Sequence, residues 1–298
     1  MQAKSLLIAA VVFLFALTVA AQQGGEANSD WKQVEGALGR SGQMQPGGVI
    51  KFAMPRKDLS VTVGGTQVKA GLALGSWVAF EKSGNDGMAM GDLVLAESEV
   101  EPVMKKLEDG GVQITALHNH LLGETPRVMY MHIAAHGNAV KIAQTLNAAL
   151  ALTKTPPASP APAASNEKVD LDTAQIEQVL GHKGKLNNGI FQVSVPRAEK
   201  ITDGGMEVPP SMGTATAINF QPTGGGKAAI TGDFVLLGSE VNPVLAALRA
   251  GGIDVTAVHS HMLTEEPRLF FMHYWANDDA VKLAKTLHNA LDKTNSAK

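Results

Sequence analysis

The residues best suited to chemistry in this sequence are histidines that recur with one spacing. Six of the nine histidines form two copies of a His-x-His pair followed by a third histidine. The first copy is His118, His120 and His132, and the second copy is His259, His261 and His273. Residues two apart on a β-strand point to the same face of the sheet. Each His-x-His pair is therefore expected to present both imidazoles to one side.

A β-hairpin would bring the third histidine of each copy to the other two. We predict two strands joined by the turn Gly-Glu-Thr-Pro, with His132 opposite His118 and Tyr130 opposite His120. The second copy repeats this pattern with Phe271 at the place of Tyr130. In this register all three imidazoles of a copy converge on one face of the hairpin.

Three converging imidazoles suit a divalent transition metal such as Zn or Cu and leave one position open for water or a ligand. The chain has no cysteine, so a soft metal would have to be held by histidine, methionine or carboxylate. Two alternatives stay open. The histidines could form a hydrogen-bonded structural network, or they could line a metal-free pocket for a small or cell-envelope ligand.

Two pairs of carboxylates are shared by both copies near the histidines. Glu99 and Glu240 are candidates for a fourth metal ligand or a general base. Each also begins a predicted helix, where a negative charge is favourable in any case. Asp92 and Asp233 each follow a glycine and are expected to fix a turn.

One arginine follows the proline of each predicted hairpin. Arg127 and Arg268 could present a guanidinium fork to an anionic ligand. The alternative is that they stabilise the turn through Glu124 and Glu265.

The nearby methionines are expected in the core or on a sheet face rather than as copper ligands; they are Met88, Met90, Met129 and Met131.

The histidine pattern is repeated because the chain is duplicated. An ungapped shift places 91–150 on 232–291 with 31 identities in 60 positions. We predict a first repeat over 30–152 and a second repeat over 169–295. The segment 153–168 is rich in proline and alanine, which is typical of an extended linker.

The pattern of each repeat predicts an α+β fold. Alternating segments such as Gly48–Met54, Ser76–Phe80 and Met88–Leu95 are typical of strands. A helix, the hairpin and an amphipathic helix over Asn138–Leu152 follow them. The core order is β-α-β-β-α. We therefore expect an antiparallel sheet with helices on one face in each repeat, of ferredoxin-like character.

Residues 1–22 are typical of a signal peptide. Lys4 precedes an apolar run over 6–19, and two alanines then offer a cleavage site. An uncleaved anchor is the alternative, but the run is shorter than a typical membrane span. We predict a periplasmic or secreted protein with no stable transmembrane segment after cleavage. The net charge of −3 and the 5% aromatic content argue against nucleic acid as a partner.

The second repeat resembles the LppY/LpqO family, an exported bacterial family classed as a domain of unknown function. The resemblance rests on the string HSHM and the following EPRLFFMH, and it extends over both repeats, about 240 residues. It implies export and tandem architecture, but it supplies no reaction or ligand set. Some family members are lipoproteins. A chain without cysteine cannot be lipidated in that way.

Zinc endopeptidases of the lysostaphin type also carry a His-x-His pair on a strand. They require an upstream His-x-x-x-Asp element, whereas His182 is followed four residues later by Leu186. The sequence therefore favours an exported protein with a histidine-based metal or ligand site in each repeat. A metal-free envelope ligand-binding module and a zinc-dependent hydrolase or peptidase remain alternatives.

Overall fold

The computed structural model describes residues 31–83, 86–157 and 169–297. The predicted signal peptide over 1–22 and most of the predicted linker lie outside these residues. No helix within these three ranges is long and apolar enough to cross a membrane.

The first repeat contains one large antiparallel sheet of six strands in the order β1-β2-β5-β6-β9-β7. Its strands are β1 (Gln43–Met44), β2 (Ile50–Pro55), β5 (Gly75–Ser83), β6 (Asp86–Ala96), β7 (Gln113–His118) and β9 (Val128–Gly137). A smaller sheet joins β3 (Val61–Val63), β4 (Thr66–Val68) and β8 (Glu124–Thr125). The helices are α1 (31–38), α2 (Ala70–Ala73), α3 (Val100–Asp109) and α4 (Ala139–Leu150).

The second repeat has the same large sheet, in the order β10-β11-β14-β15-β17-β16. Its strands are β10 (Gly184–Asn187), β11 (Ile190–Pro196), β14 (Ala215–Gly224), β15 (Lys227–Leu237), β16 (Asp254–His259) and β17 (Leu269–Asp279). The short pair β12 (Thr202–Asp203) and β13 (Met206–Glu207) stands apart from it. The helices are α5 (Thr173–Leu180), α6 (Val241–Ala250) and α7 (Ala280–Leu291).

Helices cover one face of each large sheet. In the first repeat, Leu38, Leu107 and Leu146 pack from three helices onto the strand residues Phe80 and Met131. The second repeat buries the equivalent face beneath α5, α6 and α7. The predicted α+β architecture with its β-α-β-β-α order is confirmed. The helix α3 also links two strands that are separated in the sheet by β9, as in a split β-α-β unit.

The other face of each sheet packs against the other repeat. One shared apolar cluster contains Met90 together with Val235 and Phe271, and a second contains Val94 and Tyr130 together with Ala229. Because side chains alternate along a strand, the odd-numbered residues of β9 face the helices and the even-numbered ones face the other repeat. His132 is therefore directed to the boundary between the repeats.

The predicted hairpin register was wrong by two residues. His118 pairs with Tyr130 and Ala116 with His132, and a bulge interrupts the ladder between Ile114 and Ala116. The reason is the length of the connection: β7 ends at His118, and the following loop is held by pairing of Thr125 with β3. The predicted four-residue turn is absent here, and the second repeat has the same register, with His259 opposite Phe271.

Candidate metal centre

All six histidines of the two triads lie in one cluster between the repeats. We call this cluster the six-histidine centre; its members are His118, His120 and His132 (the first triad) and His259, His261 and His273 (the second triad). The rings approach one another in pairs across the boundary. Ring centroids lie 3.6 Å apart for His118 and His259, and 3.7 Å apart for His120 and His273. The pair formed by His132 and His261 is 3.8 Å apart. The expected separate sites are thus two triads of a single centre.

The pairing follows an approximate two-fold symmetry. His118 and His259 are equivalent positions of the two repeats, so the symmetry axis passes between their rings. The other two cross-pairs exchange with each other under the same operation. Duplication followed by face-to-face packing of the two sheets therefore produces the centre.

The deepest members are the strand histidines His132 and His273, each 3% exposed. The Nδ1 atom of His273 lies 2.7 Å from the carbonyl oxygen of Gly232, and His132 bonds in the same way to the backbone of Gly91. A ring nitrogen bound to a carbonyl carries the proton. The opposite nitrogen, Nε2, then holds a free lone pair directed into the centre.

His120 and His261 lie in the loops that follow the outer strands, β7 and β16. The carbonyl of His120 accepts a 2.6 Å hydrogen bond from the Thr256 hydroxyl of the other repeat. The rings also stack on aromatic neighbours, Tyr130 for His120 at 3.4 Å and Phe271 for His261 at 3.5 Å. Contacts with neighbouring residues thereby position both loop histidines.

Every histidine of the centre has a buried Nε2 atom that lacks a hydrogen-bond partner among the described residues. A buried polar atom without a partner is costly, and such atoms are few in native proteins. Six of them pointing into one centre indicate that another group satisfies them. An electron-pair acceptor such as a metal ion would do so.

The histidines are neutral at ordinary pH. Burial lowers the pKa of each of the six, and for His118 it lowers the pKa to about 4. The neighbouring imidazoles add to this effect for His120 because each would be repelled by the others if charged. Neutral imidazole is the form that binds metals.

Asp92 and Asp233 are the carboxylates of the centre, a role that the sequence interpretation missed. They lie in the middle of β6 and β15, paired with His132 and His273, so the expectation that they fix a turn was wrong. Burial raises the pKa of Asp92, and it raises that of Asp233 to about 6. Knowing that β6 pairs with β9, which places Asp92 opposite His132, would have identified these carboxylates.

The ligand atoms divide into two groups. One contains the first triad alone, and the other contains the second triad together with Asp233; within each group the atoms lie within 4.8 Å of one another. Asp233 Oδ2 lies 3.1 Å from Nε2 of His261, within ion-pair distance but without forming a hydrogen bond, whereas Asp92 Oδ2 lies 3.6 Å from Nε2 of His120. The two halves of the centre are therefore similar but unequal.

Glu99 and Glu240 are held by arginines rather than by the centre. Glu99 accepts hydrogen bonds of 2.7 and 3.1 Å from the guanidinium of Arg56, which is fully buried. Arg197 binds Glu240 in the same way at 2.7 and 3.0 Å. Their carboxylate oxygens also accept backbone N–H groups. These contacts give both residues a structural role. Their assignment as a fourth ligand or general base stays a prediction.

The two hairpin arginines differ from each other. Arg268 bonds to Glu265 at 3.2 Å and to the carbonyl of Leu263 at 3.0 Å, so it stabilises its turn. Arg127 is exposed, while Glu124 accepts instead from Asn119 at 2.9 Å. Of the methionines, Met88, Met90 and Met131 lie in apolar clusters, as expected.

Comparison with known proteins identifies a family for this chain but no activity. No curated protein sequence matches the chain. Two solved structures of bacterial proteins show a weak likeness. The trimeric microcompartment shell protein PduB is 12% identical, with 85% of this chain and 88% of that chain covered at a TM-score of 0.19. EtuB from Clostridium kluyveri is 9% identical, with 84% and 90% covered, also at 0.19. Similarity at this level supports no conclusion about fold or function.

A protein-family profile matches both repeats, over residues 32–152 and 174–293. The resemblance to the LppY/LpqO family stays a prediction. Since the two matches cover most of the sequence, the chain belongs to the family described as Domain of Unknown Function (DUF1259), of which it carries two tandem copies.

Proposed function

We propose that this protein is an exported transition-metal-binding protein whose ions are held at the six-histidine centre. The observation that carries the proposal is the set of six buried Nε2 atoms without hydrogen-bond partners among the described residues. Export rests on the signal-peptide pattern of residues 1–22. Imidazole and carboxylate donors without thiolate favour Zn or Cu.

The spacing of the rings favours one ion for each triad. Two imidazoles bound to one tetrahedral Zn ion, with Zn–N of about 2.0–2.1 Å, hold their ring centroids about 5 Å apart. His118 lies 5.0 Å from His120 and 5.1 Å from His132 in the first triad. His259 lies 4.9 and 4.8 Å from its partners in the second. The pair of His120 and His132 is wider, at 6.5 Å, and two cross-pairs lie at 5.4 and 5.5 Å. The assignment of one ion to each triad therefore rests on the ligand atoms, which lie within 4.8 Å of one another inside each triad. The protein is therefore expected to bind two ions.

Elemental analysis of protein purified without a histidine tag tests the proposal. After loading with Zn or Cu and desalting, we expect about two ions per chain and a raised thermal stability. His132→Ala and His273→Ala should each lose about one ion. His182→Ala is the matched control, because His182 lies outside the centre, and it should retain both ions.

This experiment distinguishes a metal-binding role of the histidines from a purely structural one. If loaded and chelator-treated protein melt at the same temperature and hold no metal, the stacked imidazoles serve packing alone and the proposal is wrong. Circular dichroism of each variant separates loss of metal from loss of fold. Analysis of culture fractions for protein that has lost residues 1–22 tests export independently.

A further inference from the structure

We propose that the two ions are unequal: the first triad keeps an open position for a small exogenous ligand, such as water or hydroxide, whereas Asp233 closes the second. This inference rests on the proposed function, since it concerns the same centre. Structural zinc sites generally have four protein ligands, while reactive sites have three and leave the fourth position to water or substrate. The two ligand groups differ in this respect.

The difference is in the carboxylates. Within the described part of the chain, the ligand group of the second triad includes Asp233, and the group of the first triad includes no carboxylate. Asp92, the equivalent of Asp233, is farther from its loop histidine, at 3.6 Å against 3.1 Å. The second triad thus has a His₃Asp donor set and the first has only three imidazoles.

A departure from the two-fold symmetry accompanies this difference. Asp92 is paired in the sheet with Trp77, whereas Asp233 is paired with Ala217. The indole of Trp77 lies close to Gly213 of the second repeat, and a Cβ atom at Gly213 would lie 3.1 Å from the ring. The Lys51 ammonium lies 3.9 Å from the centre of the same ring. The large side chain of Trp77 therefore flanks the first triad. The corresponding residue beside the second triad is Ala217, which has only a methyl group.

Trp77 also lines a small cavity at the centre. Its walls include Met90 and Met262 and, on the side of the centre, His132 and His261. The volume is about 10 Å³, close to the smallest that holds one water molecule. Water or hydroxide fits this space, which His132 and His261 line together, whereas a peptide or glycan does not. The zinc-peptidase alternative therefore gains no support from the cavity.

Azide titration of the Co(II)- or Cu(II)-loaded protein tests the inference. Metal content is measured first, so failure to take up any ion refutes the proposed function before azide is added. Uptake of a single ion would leave the proposed function standing and overturn the inference. With two ions bound, we expect the charge-transfer absorption to saturate at one azide per chain.

Substitutions of Asp233 and of Trp77, which lines the cavity, test the inference further. Asp233→Ala should open the second site and raise the count to two azides per chain, whereas the exposed control Asp254→Ala should keep it at one. An unchanged count in Asp233→Ala, or two azides in the unaltered protein, would overturn the inequality. Trp77→Ala should strengthen binding of the larger probe imidazole about tenfold. Equal imidazole affinity in both proteins would overturn the assignment of the cavity as the ligand's place.

Discussion

Replacement of Glu99 by glutamine separates the structural role of this carboxylate from the catalytic role that its sequence position suggested. Glu99 is 7% exposed and receives four hydrogen bonds: two from Arg56, at 2.7 and 3.1 Å, one from the Ala96 N–H at 2.9 Å and one from the Lys154 N–H at 2.8 Å. The glutamine amide has one acceptor oxygen instead of two. Its NH₂ group would face two of these donors, and the net negative charge is lost.

The expected cost follows from the position of Arg56. Removing one partner of a buried ion pair typically costs about 3–5 kcal/mol, because the other charge is left uncompensated. Arg56 keeps its second carboxylate, Asp58, at 2.8 Å, and Asp58 is partly exposed. We therefore expect Glu99→Gln to lower the free energy of unfolding by about 3 kcal/mol, at the lower end of that range.

Urea denaturation followed by circular dichroism measures this change, with metal content determined on the same samples. Glu108→Gln is the control, since Glu108 is exposed on the helix that follows Glu99, and it should change the stability by less than about 0.5 kcal/mol. Metal content should be unchanged in both variants. A loss below about 1 kcal/mol for Glu99→Gln, or a loss of metal, would refute the assignment of this residue to the Arg56 ion pair.

Three further predictions concern backbone packing and pH. Gly232→Ala should abolish soluble expression, because its Cβ atom would lie 1.9 Å from the carbonyl oxygen of Ala217. Gly36→Ala, in helix α1 with no atom within 4 Å of the new Cβ, should instead raise the unfolding free energy by about 0.5–1 kcal/mol in urea titration. Burial alone would raise the pKa of Glu199, but hydrogen bonds from Arg197 outweigh it and hold that pKa below its usual value. Its stabilisation is therefore present above a pH of about 4.3 and lost as the pH falls further, so Glu199→Gln should flatten the acid limb of a stability–pH curve.

The sequence could predict the features that depend on local pattern and on duplication. The repeat, the helices on one face of each sheet and the gathering of each His-x-His pair with its third histidine all follow from residue spacing. The strand register did not, because the bulge after Ile114 and the pairing of Thr125 with β3 are set by long-range contacts. Asp92 was missed for a related reason: a Gly-Asp pair is typical of a turn, and only its partner strand shows that it lies beside His132.

The sequence of one repeat could not predict that the two triads join. This joining nevertheless explains why strand β9 is buried on both faces. Residues 130–135 of β9 are all buried, although an antiparallel sheet with one solvated face would bury only alternate residues. The odd positions are covered by the helices of the same repeat and the even positions by the other repeat. The two repeats therefore share one interior, and the histidines and aspartates of the centre are among the polar residues buried in it. Burying six imidazoles there without a bound partner would be costly. An ion that binds them would stabilise the contact between the repeats as well as the triads themselves.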